Sequence, residues 1–163
     1  MNWFEVDIKL NERDHQWALD IGNNIKEPNW TIRPYKLDDK EMKRISYLID
    51  QIGIIPSYAA IIMVPAKSIC KTHVDDKADT VGVKQRITAI NIPIQVHKTS
   101  MFQYMINDSP IETIKLNTAK CWRVDIPHRV DNSKSPFNRV VLSLSFEETV
   151  EKIHEAYLLH NSN

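Results

Sequence analysis

From Lys36 to Ile52 the apolar residues Leu37, Met42, Ile45, Leu48, Ile49 and Ile52 recur mostly at three- and four-residue spacings, which predicts an amphipathic helix. Asp38 stands at its start as an N-cap, with Glu41 three residues on to complete a capping box. A weaker stripe, Trp17, Leu19, Ile21 and Ile25, predicts a short helix over Asn11–Ile25. From Ser57 onward the texture changes. Short β-branched and aromatic runs bounded by Pro, Asn, Asp and Ser appear at Tyr58–Val64, Arg86–Gln95, Met101–Ile106, Ile111–Leu116, Cys121–Ile126 and Arg139–Phe146. Such close spacing leaves no room for crossover helices, so the strands should pair mainly antiparallel and close as a barrel or a sandwich. Val150, Ile153, His154 and Tyr157 then predict a helix over Glu147–Leu159, serving either as a barrel cover or as the contact of a homodimer. The expected class is mainly β with flanking helices (α+β). We expect one domain over residues 1–163, with an N-terminal helical support region (1–56), a β-barrel core (57–146) and a C-terminal helix (147–160).

Composition narrows the partners. With 21 basic and 21 acidic residues, no whole-molecule field steers the chain toward nucleic acid or an anionic membrane surface. The opening MNWFEVDIKL has no basic segment followed by an apolar stretch, and the run Tyr58–Val64 is far shorter than the ~20 residues that cross a bilayer. The expectation is a cytoplasmic protein without a membrane partner. Cys70 and Cys121 stand far apart without a CxxC or Cys/His pairing and read as buried thiols. Three glycines and no low-complexity run leave no Gly-rich phosphate cradle. Trp3, Trp17 and Trp30 are expected to pack an N-terminal layer on the barrel.

One pattern in the strand-rich half carries chemistry: His73-Val74-Asp75, then His128 in IPHRVDN, then Arg139 in NRVVLSLSF. In extended chain, residues i and i+2 point the same way, so His73 and Asp75 can present an imidazole and a carboxylate to one point. His128 from a distant strand would complete a facial triad, a set that suits Fe(II) because it leaves three coordination positions open. His-x-Asp alone is a weak signal; its order and context strengthen it. Asp76, facing the other way, is a second-choice ligand. His15, His97, His154 and His160 have no partner at ligand spacing and read as surface or helix-end residues. Along the last strand, Val140, Leu142, Leu144 and Phe146 form one face and Arg139, Val141, Ser143 and Ser145 the other. If the second face lines a cleft, Arg139 needs an anionic partner, and a carboxylate fits its two-pronged geometry. The alternative is a solvent-exposed face with Arg139 paired to a surface acid.

The segments THVDD, RITAINIPIQ, CWRVDIPHRVDN and RVVLSLSF resemble the Fe(II)- and 2-oxoglutarate-dependent oxygenases, most closely the aspartyl/asparaginyl β-hydroxylase-like group and its small phage and bacterial relatives. The resemblance spans roughly residues 58 to 146 and implies a double-stranded β-helix, a jelly-roll or cupin-like barrel. It implies that His73, Asp75 and His128 bind iron and that Arg139 binds the C5 carboxylate of 2-oxoglutarate. Arg86 matches a second arginine near the co-substrate, or else makes a barrel-rim ion pair. Ser143 and Tyr104 are candidate co-substrate contacts, and Thr88 and Trp122 candidate pocket groups; all four could equally fill the barrel. The implied reaction consumes dioxygen and 2-oxoglutarate, hydroxylates a C–H bond and releases succinate and CO₂. One departure counts: well-known members of the β-hydroxylase group lack the carboxylate ligand that Asp75 supplies. That weakens any transfer of their substrate, and it argues against related halogenases. The substrate is left as a peptide or protein side chain, or a small metabolite. A non-catalytic cupin-like binding module and a metal-dependent isomerase or hydrolase on the same barrel are the competing readings, distinguished by turnover of 2-oxoglutarate.

Overall fold

Every residue of RVVLSLSF is buried, so the strand it forms has a covered layer on each side, and the fold follows from that. The structure is a computed structural model that describes residues 1–26, 33–75 and 86–162. Numbered in chain order, a six-stranded sheet runs β1 (Trp3–Glu5), β8 (Lys120–Arg123), β5 (Thr88–Gln95), β10 (Arg139–Phe146), β3 (Tyr58–Val64), β2 (Arg33–Lys36). A four-stranded sheet runs β4 (Ile69–His73), β9 (His128–Asp131), β6 (Met101–Ile106), β7 (Ser109–Lys115). The pairings are antiparallel in both sheets. The sheets face each other as a jelly roll, and helices cover the outer face of the larger one.

Two cores result from period-two alternation on the central strands. Val140, Leu142, Leu144 and Phe146 of β10 join Ile90 and Ile92 of β5 and the helices' Ala18, Leu48, Ile52 and Ile153. The opposite faces contribute Ala89, Trp122 and Val64 to a second core, which the smaller sheet completes with Cys70, Phe102, Tyr104, Ile114 and Val130. The polar face of β10 therefore looks into the space between the sheets, and the solvent-exposed alternative for Arg139 does not hold.

The flanking helices are α1 (Glu12–Asn24), α2 (Asp39–Arg44), α3 (Ser46–Ile52) and α4 (Val150–Asn161). Asn11 and Thr149 cap α1 and α4 through their side chains, and Asp38 and Glu41 form the expected capping box on α2. The single helix expected over Lys36–Ile52 is broken at Ile45. There Leu48 N–H reaches the Ile45 carbonyl at 2.9 Å, a tighter three-residue turn that lets both buried side chains meet the sheet. Gly22 permits close docking of α1, since a Cβ there would sit 2.4 Å from Val140 Cγ1.

Four short strands escape the hydrophobic pattern: β1, β2, β4 and β9. All have at most five residues, too few for alternation to declare itself. Trp3 lies on β1 and packs toward the inter-sheet core, while Trp17 packs on the helical side. Trp30 and Asp76 lie outside the described residues. No described helix is long and apolar enough to cross a membrane.

The turn leading into β10 is held by fully buried Asn132. Its Oδ1 accepts from Ser100 Oγ at 2.6 Å, and its Nδ2 donates to the carbonyls of Pro65 at 2.9 Å and Phe137 at 3.2 Å. Asn132→Ala strands several buried polar groups at once and is expected to lose on the order of 2–4 kcal/mol. A lower urea midpoint at unchanged slope would show it.

Candidate metal centre

His73 and His128 are direct cross-strand partners of β4 and β9, so pairing alone brings the two imidazoles together, with ring centroids 4.4 Å apart. The register shifts between Cys70 and His73, and a bulge of that kind re-aims a side chain at a strand end. Asp75 lies just past β4, where its N–H donates to the Val124 carbonyl at 2.8 Å. The ligand atoms of His73, Asp75 and His128 lie within 4.8 Å of one another. Among the described residues this is the one such cluster; His15, His97, His154 and His160 take no part.

Each imidazole has its Nδ1 beside the carbonyl of the residue two positions earlier, His73 to Lys71 at 2.7 Å and His128 to Ile126 at 2.8 Å. An Nδ1–H donated to that carbonyl leaves Nε2 toward the cluster, the arrangement that orients metal-bound histidines. Phe102 stacks on the other side of His128, at 5.1 Å and 18°.

Electrostatics divide the two histidines. Burial alone would lower the His73 pKa, but hydrogen bonds to Asp75, Cys70 and the Lys71 carbonyl outweigh it and push it up to about 10. His128, deeper, is pushed down to about 4 by burial, against the pull of Asp75 and with the help of the His73 charge. Burial would raise the Asp75 carboxyl, yet the His73 hydrogen bond and the charges of His128 and Arg86 hold it below its ordinary value. His73 Nε2 stands 3.4 Å from Asp75 Oδ1. At neutral pH the metal-free cluster thus carries an imidazolium beside a carboxylate.

That pair predicts a proton release. A divalent metal must displace the His73 proton, so between about pH 7 and 10 apparent affinity should rise with pH by up to about tenfold per unit. Calorimetric titrations with zinc in buffers of different ionisation heat should report close to one proton at pH 7. The same shift sets a stability window in the metal-free protein. Because the folded value lies above the ordinary 6.5, the pair's contribution is complete below about pH 6.5 and disappears as pH rises through about 10.

Beneath the cluster lies a narrow cleft of about 40 Å³, lined by Asn91, Trp122, Arg139 and Ser143 as well as the triad. A surface hollow of about 570 Å³ exists elsewhere, along Glu5–Lys9 and Asn117–Ala119. The small cleft, not the larger hollow, holds the buried groups without partners among the described residues. Arg139 is 2% exposed, burial lowers its pKa to about 10, and its Nε and Nη2 have no hydrogen-bond partner among the described residues. Ser143, 4% exposed, lies on the same face of β10.

Arg86 sits at the rim. Its Nη2 is 3.7 Å from Asp75 Oδ1 and its guanidinium lies 5.6 Å from the centre of the Tyr58 ring. Two expectations are corrected. The Tyr104 hydroxyl is tied to the carbonyls of Asn2 at 2.8 Å and Arg123 at 3.2 Å, and Thr88 Oγ1 donates to the Glu148 carbonyl at 2.7 Å. Neither lines the cleft: Tyr104 faces inward, but its length carries the hydroxyl across to the backbone just before β1 and at the end of β8. Asn91 was missed, although a lone amide between Ile90 and Ile92 could have been read as a polar group on the cleft face. Cys70 is the buried thiol expected, and its Sγ lies 3.5 Å from His73 Nδ1.

No protein-family model matches the chain, and no curated protein matches its sequence. Solved structures do. An oxidoreductase of the 2-oxoglutarate-Fe(II) oxygenase family from Burkholderia pseudomallei superposes with TM-score 0.59 at 11% identity, covering 88% of this chain and 83% of that one. A Pseudomonas putida prolyl-4-hydroxylase gives TM-score 0.56 at 12% identity, covering 90% and 93%. HygX from Streptomyces hygroscopicus, solved with nickel and 2-oxoglutarate bound, gives TM-score 0.59 at 6% identity, covering 88% and 82%. At such identities the likeness is one of fold, and the chain has the jelly-roll fold found in 2-oxoglutarate-Fe(II) oxygenases.

Proposed function

We propose that this chain is an Fe(II)- and 2-oxoglutarate-dependent dioxygenase that hydroxylates a C–H bond of an amino-acid residue or a small metabolite. The observation that carries the reading is a His–Asp–His cluster in one cleft with a buried arginine whose Nε and Nη2 are unpartnered among the described residues. A buried cation without a partner is costly, and an anion that completes it repays that cost. The donor set fits the metal: two neutral imidazoles and one carboxylate suit a divalent iron that keeps open positions.

His73, Asp75 and His128 would hold the iron. Bound there with 2-oxoglutarate, it would supply the activation of dioxygen needed to oxidise a C–H bond, with the co-substrate leaving as succinate and CO₂. The chain's own contributions are orientation and exclusion of water. Backbone carbonyls hold both imidazoles, Arg139 presents a side-on fork to the distal carboxylate with Ser143 near it, and the inter-sheet core keeps solvent from the reacting atoms. Arg86 supplies positive charge at the rim, where it also faces Asp75. HygX, of the same fold, binds nickel and 2-oxoglutarate, and the prolyl-4-hydroxylase makes an amino-acid residue a reasonable first substrate class. Kinship with the aspartyl/asparaginyl β-hydroxylase-like group rests on the quoted segments, and the presence of Asp75 separates this chain from its best-known members.

The test is succinate formation. Protein loaded anaerobically with Fe(II), then given 2-oxoglutarate and oxygen, should release succinate slowly even without its prime substrate. No succinate, together with no 2-oxoglutarate binding, would return the chain to the class of binding modules.

A further inference from the structure

The four buried side-chain atoms without hydrogen-bond partners among the described residues are Asn91 Oδ1, Trp122 Nε1, Arg139 Nε and Arg139 Nη2. All three side chains line the same cleft. The arginine fork accounts for one carboxylate. Two unpaired groups remain, and a buried indole N–H ordinarily finds a partner.

Their placement is specific. Trp122, 1% exposed, stacks on Phe102 at 4.2 Å and 14°, and Phe102 in turn stacks on His128. The indole is thus held one ring away from a candidate iron ligand. Asn91 pairs across the sheet with Ser143 on one side and Lys120 on the other, while Trp122 pairs with Ala89. Asn91 and Trp122 are therefore diagonal neighbours on the cleft face, within mutual reach of one small ligand. No hydrogen bond among the described residues fixes the Asn91 amide, so its oxygen and nitrogen can exchange by a half-turn.

We infer that Trp122 Nε1–H and the Asn91 amide form a second grip on the co-substrate, holding oxygens of the 2-oxo acid that Arg139 does not reach. The inference rests on the dioxygenase reading above. A 2-oxo diacid offers acceptors only, so Trp122 donates and Asn91 presents its nitrogen. The two groups stay unpaired among the described residues because their partner is the ligand, and they select for an oxygen-rich anion over a neutral molecule of the same size. Phe102 is a positioning residue that keeps the indole edge aimed into the cleft.

The experiment uses the zinc-loaded full chain, which binds without turning over, titrated with 2-oxoglutarate by calorimetry and by tryptophan fluorescence. Trp122→Phe keeps the ring stack and deletes only the donor; it should weaken 2-oxoglutarate binding about tenfold. Zinc affinity should be unchanged and the melting temperature equal or higher, because a buried orphan has been removed. Asn91→Leu should behave alike, and Asn91→Asp, which sets a carboxylate against a dianion, should abolish binding. Wild-type affinity for 2-oxoglutarate in both Trp122→Phe and Asn91→Leu overturns the inference and leaves the dioxygenase reading intact. A parallel loss of zinc affinity in Trp122→Phe also overturns it, by reducing Trp122 to a prop for His128. No 2-oxoglutarate binding by the zinc-loaded wild type overturns the reading itself and the inference with it.

Discussion

Arg139→Met is expected to eliminate saturable 2-oxoglutarate binding while raising the melting temperature of the metal-free protein. The two effects have one cause. Arg139 is buried at the start of the central strand with two guanidinium nitrogens unpartnered among the described residues, and burial opposes its charge strongly enough to lower its pKa to about 10. Replacing even a paired set of buried charges with well-packed apolar residues is often neutral or stabilising by about 1–4 kcal/mol, a charge without a partner has less to lose, and roughly 2–4 °C accompanies each kcal/mol in a chain of this size. The cleft at the same time loses its only fork for the distal carboxylate among the described residues. Differential scanning calorimetry with and without 2-oxoglutarate reads both effects. A variant that melts lower and still binds the diacid would show that Arg139 is a structural residue with a partner in the fold.

The second large effect is expected at the histidines. Alanine at either His73 or His128 should lower metal affinity by at least about 100-fold, since even residues that merely orient metal ligands are worth 10–100-fold, and should abolish succinate formation. The two variants should differ in the absence of metal. His128 sits in the core against Phe102, so His128→Ala opens a cavity and should also melt lower. His73 is half-buried and paired to Asp75, so His73→Ala leaves the carboxylate with Arg86 and should melt closer to the wild type, while also removing the group that releases a proton when metal binds at neutral pH. Chelator competition at pH 7 measures the affinities, melting of the metal-free variants measures the stability difference, and the buffer-dependent titration heats measure the lost proton. Full metal affinity in His128→Ala would remove it from the ligand set.

Much of the fold was open to a reader of the chain. Tyr58–Val64, Met101–Ile106 and Arg139–Phe146 appear as strands with the bounds read from their β-branched and aromatic runs, because each is long enough to stand out between its polar and proline boundaries. The Asp38–Glu41 capping box is a local motif that needs no tertiary context. In contrast, β4 and β9 were invisible, and they are the strands that carry His73 and His128. Their inward faces are short and mixed, and their stability comes from pairing with each other and with β6. Tyr104 shows the opposite failure: the strand and its inward direction were legible, but only the packed structure shows its hydroxyl spent on the Asn2 and Arg123 carbonyls.

The sequence by itself determined the order of the longer helices and strands, the antiparallel character of the β region and the set of side chains able to ligate a metal, since each of these depends on residue type and near-neighbour spacing. The tertiary structure alone decided that His73 meets His128, that the Arg139 face of β10 is buried, and that Asn91 and Trp122 share its cleft with no partner among the described residues. Those facts depend on register between strands far apart in the chain and on what covers each face. Local propensity encodes neither, because both are set by the joint burial of apolar surface from the whole chain.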